Sequence, residues 1–190
     1  MLCSSSALKK PLRPSIEQLE PLGIIPTISQ CTDIRSRVTM EILNTEKGYI
    51  HDMQLVIEGY LSKMEQLPNM KEEDVKTIFC NIRSIHRFHC NFMDNLELIH
   101  RLNGNIALAF LRKKNEWIEL YTEYCSNNEK ALSLVAHCNT QESMKAFLLG
   151  CKLLVSQEIS LEGFLLSPVQ RLCRYPLLLK VSYFSLVRNC

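Results

Sequence analysis

From Asp33 onward the chain has no convincing apolar-polar alternation and few breakers, and its apolar residues return every three or four positions over long runs. That period belongs to helices with one buried face, and it excludes a sheet as the organising element. The reading is all-α, an elongated helical bundle. In front of it, Pro11, Pro14, Pro21 and Pro26 share the opening stretch with Ser4 to Ser6, so residues 1–33 read as a flexible leader.

The first helix is expected over Ile34–Met64. At 100° per residue, Ile42, Leu43, Tyr49, Ile50, Met53, Val56, Ile57, Tyr60 and Leu61 fall in one broad apolar arc. Glu41, Thr45, Gly48 and Asp52 form a polar line just outside one edge of that arc, whereas Glu46 projects within it. Two glutamates five residues apart therefore have different jobs. A buried carboxylate needs a partner, and a basic or hydroxyl group such as Arg171 is the expected one for Glu46.

The apolar repeat from Val75 to Ile99 predicts a second long helix that ends near Asn103-Gly104. A third spans Ile106 to Tyr124, with Phe110, Trp117, Ile118 and Tyr121 as apolar members, and Cys125-Ser-Asn-Asn is expected to break it. Shorter helices follow at Glu129–His137 and Glu142–Val155. In the stretch Leu161-Glu-Gly-Phe-Leu-Leu-Ser-Pro-Val-Gln-Arg-Leu-Cys-Arg-Tyr-Pro-Leu-Leu-Leu-Lys180, Ser167 suits an N-cap and Pro168 a first helical position. Pro176 then falls inside the helix and predicts a kink. No acidic residue follows Glu162, whereas Arg171, Arg174, Lys180 and Arg188 do, so this basic segment suits an acidic partner surface.

Charge is nearly balanced, with 22 Lys+Arg against 20 Asp+Glu, which gives no general reason to expect nucleic acid. Six of the nine cysteines, Cys80, Cys90, Cys125, Cys138, Cys151 and Cys173, lie mostly in apolar helical patterns and read as reduced, buried thiols. The N-terminal residues lack the apolar run of a signal peptide, and no segment approaches the ~18 apolar residues of a membrane span. His86, His89 and Cys90 with Cys80 fit no common zinc spacing, so no metal or cofactor is expected. No phosphate loop, nucleophile elbow or clustered acid pair supports covalent catalysis.

The segment Glu41-Ile-Leu-Asn-Thr-Glu-Lys-Gly-Tyr-Ile-His-Asp-Met53 resembles the opening helix of Dbl-homology domains, roughly E-[LI]-L-x-T-E-x-x-Y-[VI]. Leu161 to Lys180 is similar to that family's most diagnostic stretch, in the right order and at the right separation. The resemblance covers residues 34–180. Tyr124-Cys-Ser-Asn-Asn-Glu-Lys-Ala-Leu and Ala146-Phe-Leu-Leu are especially like the P-Rex type of Rac exchanger.

The resemblance implies a guanine-nucleotide exchange factor that binds the switch regions of a Rho-family GTPase, Rac-like in kind, and stabilises its nucleotide-free form. By motif position Glu41 would hold switch I, Met53 would be a neighbouring contact, and Arg174 would face switch II and the Mg²⁺ region. Thr45 and Leu177 complete the expected GTPase contacts, while Glu46, Gln170 and Arg171 are expected to buttress the bundle. Such a protein is cytoplasmic, with recruitment to the plasma membrane, and touches membrane only indirectly through a pleckstrin-homology domain. Family members continue past the P-L-L-L-K motif into another long helix carrying an asparagine contact. Here Val181 to Cys190 reads as a divergent tail, Asn189 lies too close to serve, and the domain is expected to be incomplete with apolar surface left bare. The alternative reading is a truncated GTPase- or protein-binding fragment, a scaffold or decoy without exchange activity.

Overall fold

A computed structural model describes residues 28–155 and 159–187, with side chains described over 36–155 and 159–180. Among the described residues there is no strand, and the helices pack as a bundle, as the apolar period requires. Helix α1 runs Ile28–Val56, passes through a π-helical turn at Ile57–Leu61 and ends in a short α2, Ser62–Met64. Six residues of the expected leader are thus helical, and residues 1–27 lie outside the description. The predicted arc of α1 is the observed one: Ile42, Leu43, Tyr49, Met53, Val56, Ile57, Tyr60 and Leu61 are all buried. Ile50 packs at its margin.

The predicted second helix is in fact two, α3 (Glu72–Phe79) and α4 (Ile82–Arg101). Between them Cys80 adopts φ 48°, a conformation that a side-chain-bearing residue rarely takes. Asn81 then donates its amide to Leu120 O and Glu123 Oε2, both at 2.9 Å, tying the break to a neighbouring helix. No glycine or proline marks the place. Helix α4 ends where expected. Asn103 sits at φ 52°, its N–H bonds His100 O, and the N–H of Gly104 reaches Ile99 O, which is a Schellman motif with asparagine in the left-handed position.

Helix α5 (Ala107–Arg112) is followed by α6, which runs unbroken from Lys114 to Asn139. The expected break at Cys125-Ser-Asn-Asn does not occur. Asparagine disfavours helices because its amide competes for nearby backbone groups, but here the amides are engaged elsewhere. Asn127 donates to Thr77 O on α3 at 2.6 Å, and Asn128 to Leu165 O on the last helix at 3.0 Å. Ile118, expected on the inner face of this helix, is instead 55% exposed.

Helix α7 spans Glu142–Leu154 and α8 spans Leu161–Val187. The last helix starts six residues before the predicted Ser167 cap. Ser160 takes that role, its side-chain oxygen accepting the N–H of Gly163 at 3.4 Å. Pro168 and Pro176 both lie inside α8. Around Pro168, whose ring cannot donate and crowds the preceding turn, Leu165 O accepts hydrogen bonds from Tyr124 and Asn128 of α6. The helix continues through much of the expected divergent tail, while Arg188 and Asn189 lie outside the description.

The six cysteines with described side chains are free thiols, but Cys125 and Cys173 are exposed, contrary to the buried expectation. Among the described residues no His/Cys/Asp/Glu group is arranged to hold a metal, and no helix is long and apolar enough to cross a membrane.

Candidate functional site

Helices α1 and α8 lie side by side and carry two sets of polar groups, one inside the bundle and one on its surface. The inner set centres on Glu46, which is 0% exposed. Its Oε2 accepts Arg171 Nη2 at 2.5 Å, Arg171 Nε at 3.1 Å and the Tyr175 hydroxyl at 2.5 Å. Its Oε1 meets His89 Nδ1 at 2.5 Å.

Beyond the imidazole the chain of contacts goes on, from His89 Nε2 to Tyr121 OH at 2.7 Å and from there to Tyr49 OH at 3.3 Å. One proton arrangement satisfies all of these groups. Tyr49 donates to Tyr121, Tyr121 to His89 Nε2, and His89 Nδ1–H to the carboxylate. The Arg171 guanidinium also stands 4.5 Å from the Tyr175 ring centroid.

Burial by itself would raise the Glu46 pKa. The hydrogen bond from His89 and the adjacent Arg171 charge outweigh it and hold the carboxyl below the ordinary value. Aromatic rings wall the cluster, with Trp117 packing edge-on against His89 and Tyr175. The expected Glu46–Arg171 pair is therefore present. His89, Tyr121, Tyr49 and Tyr175 are members that the sequence reading did not assign, although His89 on an apolar stripe was their available signal.

The outer set lines a shallow cleft between α1 and α8. Thr45, Gly48 and Asp52 form one wall, and Ser167, Gln170 and Arg174 the other. These are successive turns of each helix, so the polar line at the edge of the α1 arc has become a wall. Glu41 is exposed one turn before Thr45, and Arg174 is exposed opposite. Thr45 donates its hydroxyl to Glu41 O at 2.7 Å, which leaves its oxygen free to accept from outside. Partial burial raises the Asp52 pKa, and His51 moderates the effect. A Cβ added at Gly48 would meet nothing within 4 Å, so the glycine leaves open space in the wall. Leu177, one turn beyond Arg174, is 66% exposed.

Two expected roles need correction. Met53 is only 2% exposed, and its side chain packs in the core, where no partner can touch it. Gln170, expected to buttress the bundle, is exposed on the cleft wall, because its place one turn before Arg174 puts it on the same outward face. Arg171, one residue further round, points inward.

The RhoGEF domain model matches residues 38–182, which takes in both walls of the cleft and the buried cluster. The chain belongs to the RhoGEF domain family. It is 40% identical over 160 residues to the mouse phosphatidylinositol 3,4,5-trisphosphate-dependent Rac exchanger 1 protein, a match covering 77% of this chain and 10% of that one. It is 34% identical to the human Rac exchanger 2 protein, with the same shares covered. This RhoGEF chain thus spans about a tenth of the length of those relatives. Among solved structures, the apo form of an activated truncation of Vav1 shares the fold with a TM-score of 0.76 at 24% identity, covering 90% of this chain and 43% of the other. An N-terminally truncated linker-DH/PH structure of p115-RhoGEF gives a TM-score of 0.76 at 20% identity, covering 82% of this chain and 49% of that one.

Proposed function

We propose that this RhoGEF domain accelerates GDP release from a Rho-family GTPase, Rac-like in kind, by gripping switch I with Glu41 and switch II with Arg174. The observation that carries the reading is the cleft. Two helices whose sequences carry the family motifs line one cleft, with Asp52 on one wall and Arg174 on the other, and Glu41 is exposed one turn before Thr45, while the neighbouring Glu46 and Arg171 are consumed inside. The relatives' names support Rac as the partner.

A GTPase holds its nucleotide through phosphate contacts, Mg²⁺ and ordered switch loops. No bond in the protein needs to break for GDP to leave. The domain binds the empty state more tightly than the loaded one, so nucleotide and exchange factor weaken each other reciprocally. Inverting a 1:99 balance requires ~5.5 kcal/mol of such preference. Glu41 offers an acceptor that can draw switch I from the nucleotide. Arg174 offers positive charge beside the site from which Mg²⁺ departs, and Thr45 and Leu177 supply an acceptor and an apolar contact on the same face. Gln170 joins this set and Met53 leaves it.

The test is fluorescent-GDP release from Rac with the parent chain and with Glu41→Ala, run beside capture of nucleotide-free Rac. The variant is expected to lose most of the acceleration at unchanged helicity, since removing one partner of an interfacial charge pair costs ~2–5 kcal/mol. Equal rates with variant and parent would remove Glu41 from the mechanism. Capture by the parent without acceleration would instead favour a binding fragment.

A further inference from the structure

The turn joining α4 to α5 combines a stretch without carboxylates with cations and exposed leucines. From Leu98 to Asn115 there is no Asp or Glu, whereas Arg101, Arg112, Lys113 and Lys114 all fall there with His100. The same stretch exposes four leucines: Leu98 at 50%, Leu102 at 73%, Leu108 at 44% and Leu111 at 68%.

These leucines are not loosely held. The Schellman turn at Asn103-Gly104 fixes the end of α4, and Asn105 Oδ1 accepts the N–H of Ala107 at 3.0 Å to start α5. Underneath, Ile106 and Ala109 are buried, and Phe110 packs on Phe92 and Tyr175. The inner side of α5 is therefore anchored, so Leu108 and Leu111 face outward because the core already holds their neighbours. Among the described residues Arg112 and Lys114 make no salt bridge, while Lys113 pairs with Glu116 at 2.7 Å.

Exposed leucines beside unbalanced cations match the interface of an anionic bilayer, which accepts apolar side chains between headgroups that bind the cations. We propose that the α4–α5 corner is a docking surface for anionic phospholipid membrane. The RhoGEF match and its relatives' names assign nothing to this corner, and the proposal stands whether or not Glu41 and Arg174 engage a GTPase. Charge complementarity favours an anionic bilayer as the occupant, because Arg101, Arg112 and Lys114 share one carboxylate-free stretch with the four exposed leucines. The corner also adjoins the helices of the cleft. Lys47 of α1 pairs with Glu97 at 2.9 Å, one residue before the acid-free stretch, and Tyr175 of α8 packs on Phe110. Membrane held at this corner would lie near the α1–α8 face.

The test is co-sedimentation of the whole chain with phosphatidylcholine vesicles containing about one-third phosphatidylserine, against vesicles of phosphatidylcholine alone. The chain is expected to partition onto the anionic vesicles and to be released by raised salt. At about 1 kcal/mol per cation, Arg101→Glu/Arg112→Glu/Lys114→Glu should weaken partitioning by roughly a hundredfold or more. Leu102→Ser/Leu111→Ser should weaken it at unchanged charge, which separates insertion from simple attraction. All these side chains are exposed, and circular-dichroism melting should confirm that both variants fold like the parent. Failure of the parent to sediment would overturn the proposal, as would equal sedimentation of parent and both variants. Binding of an acidic amphipathic peptide at this corner, with vesicles ignored, would overturn it in favour of a protein partner.

Discussion

The two charge sets on α1 and α8 use the same residue types only a few positions apart, yet they have opposite fates. Glu46 and Arg171 are buried and meet each other, with His89 and Tyr175 completing their hydrogen bonds. Glu41 and Arg174 are exposed on the neighbouring outer face, where no ion pair is recorded for either among the described residues. A charge satisfied by its own fold has little left to offer a partner, whereas an exposed one retains its full capacity. The comparison teaches that within this motif the angle around the helix, rather than residue type, divides the scaffold from the candidate interface.

The sharpest way to break that division is Glu46→Ala. It leaves Arg171 buried without its carboxylate, and losing one member of a buried pair typically costs about 3–5 kcal/mol. Thermal or urea unfolding should show that loss, whereas Glu41→Ala should leave the same curves nearly unchanged. Equal destabilisation by the two substitutions would erase the distinction.

Acid should probe the same carboxylate more gently. Because the folded state holds the Glu46 pKa below its ordinary 4.5, its contribution to stability is complete above that value. It is lost as the pH falls through the lower, folded value. Melting temperature should therefore decline with acidification below about pH 4.5 more steeply in the parent than in Glu46→Gln.

The smallest expected effect sharpens the outer half of the comparison. Gly48→Ala meets no neighbour and should stabilise α1 by roughly 0.5–1 kcal/mol, the ordinary helix difference between the two residues. Gly48→Phe should also fold but fill the cleft, and GDP-release assays should show slower exchange with it than with the alanine variant. Equal exchange would mean that the GTPase does not enter at this wall.

Much of this arrangement was readable from spacing. The arc of α1 placed nearly all of its buried residues, and the intrusion of Glu46 into that arc pointed to a buried partner, with Arg171 the correct one. What could not be read were features settled by tertiary contact. No local signal marks Cys80 as a helix break, since its positive φ is imposed by the packing of α3, α4 and α6. Asn127 and Asn128 look like breakers until Thr77 O and Leu165 O are seen to take their amides. Gln170 was misassigned because the motif says that it matters without saying which way it faces. Met53 was misassigned for the converse reason, a motif position allowed to override its place at the centre of an apolar arc.

Those two asparagines have a consequence for how the domain comes apart. Through them a single helix, α6, is stitched by side-chain amides to the backbones of α3 and α8. Fraying of α6 near its middle would strip hydrogen bonds from both neighbours at once, so the three segments should open as one cooperative unit. Amide hydrogen exchange would register this as matched protection around Thr77, Asn128 and Leu165, far apart in sequence but released together.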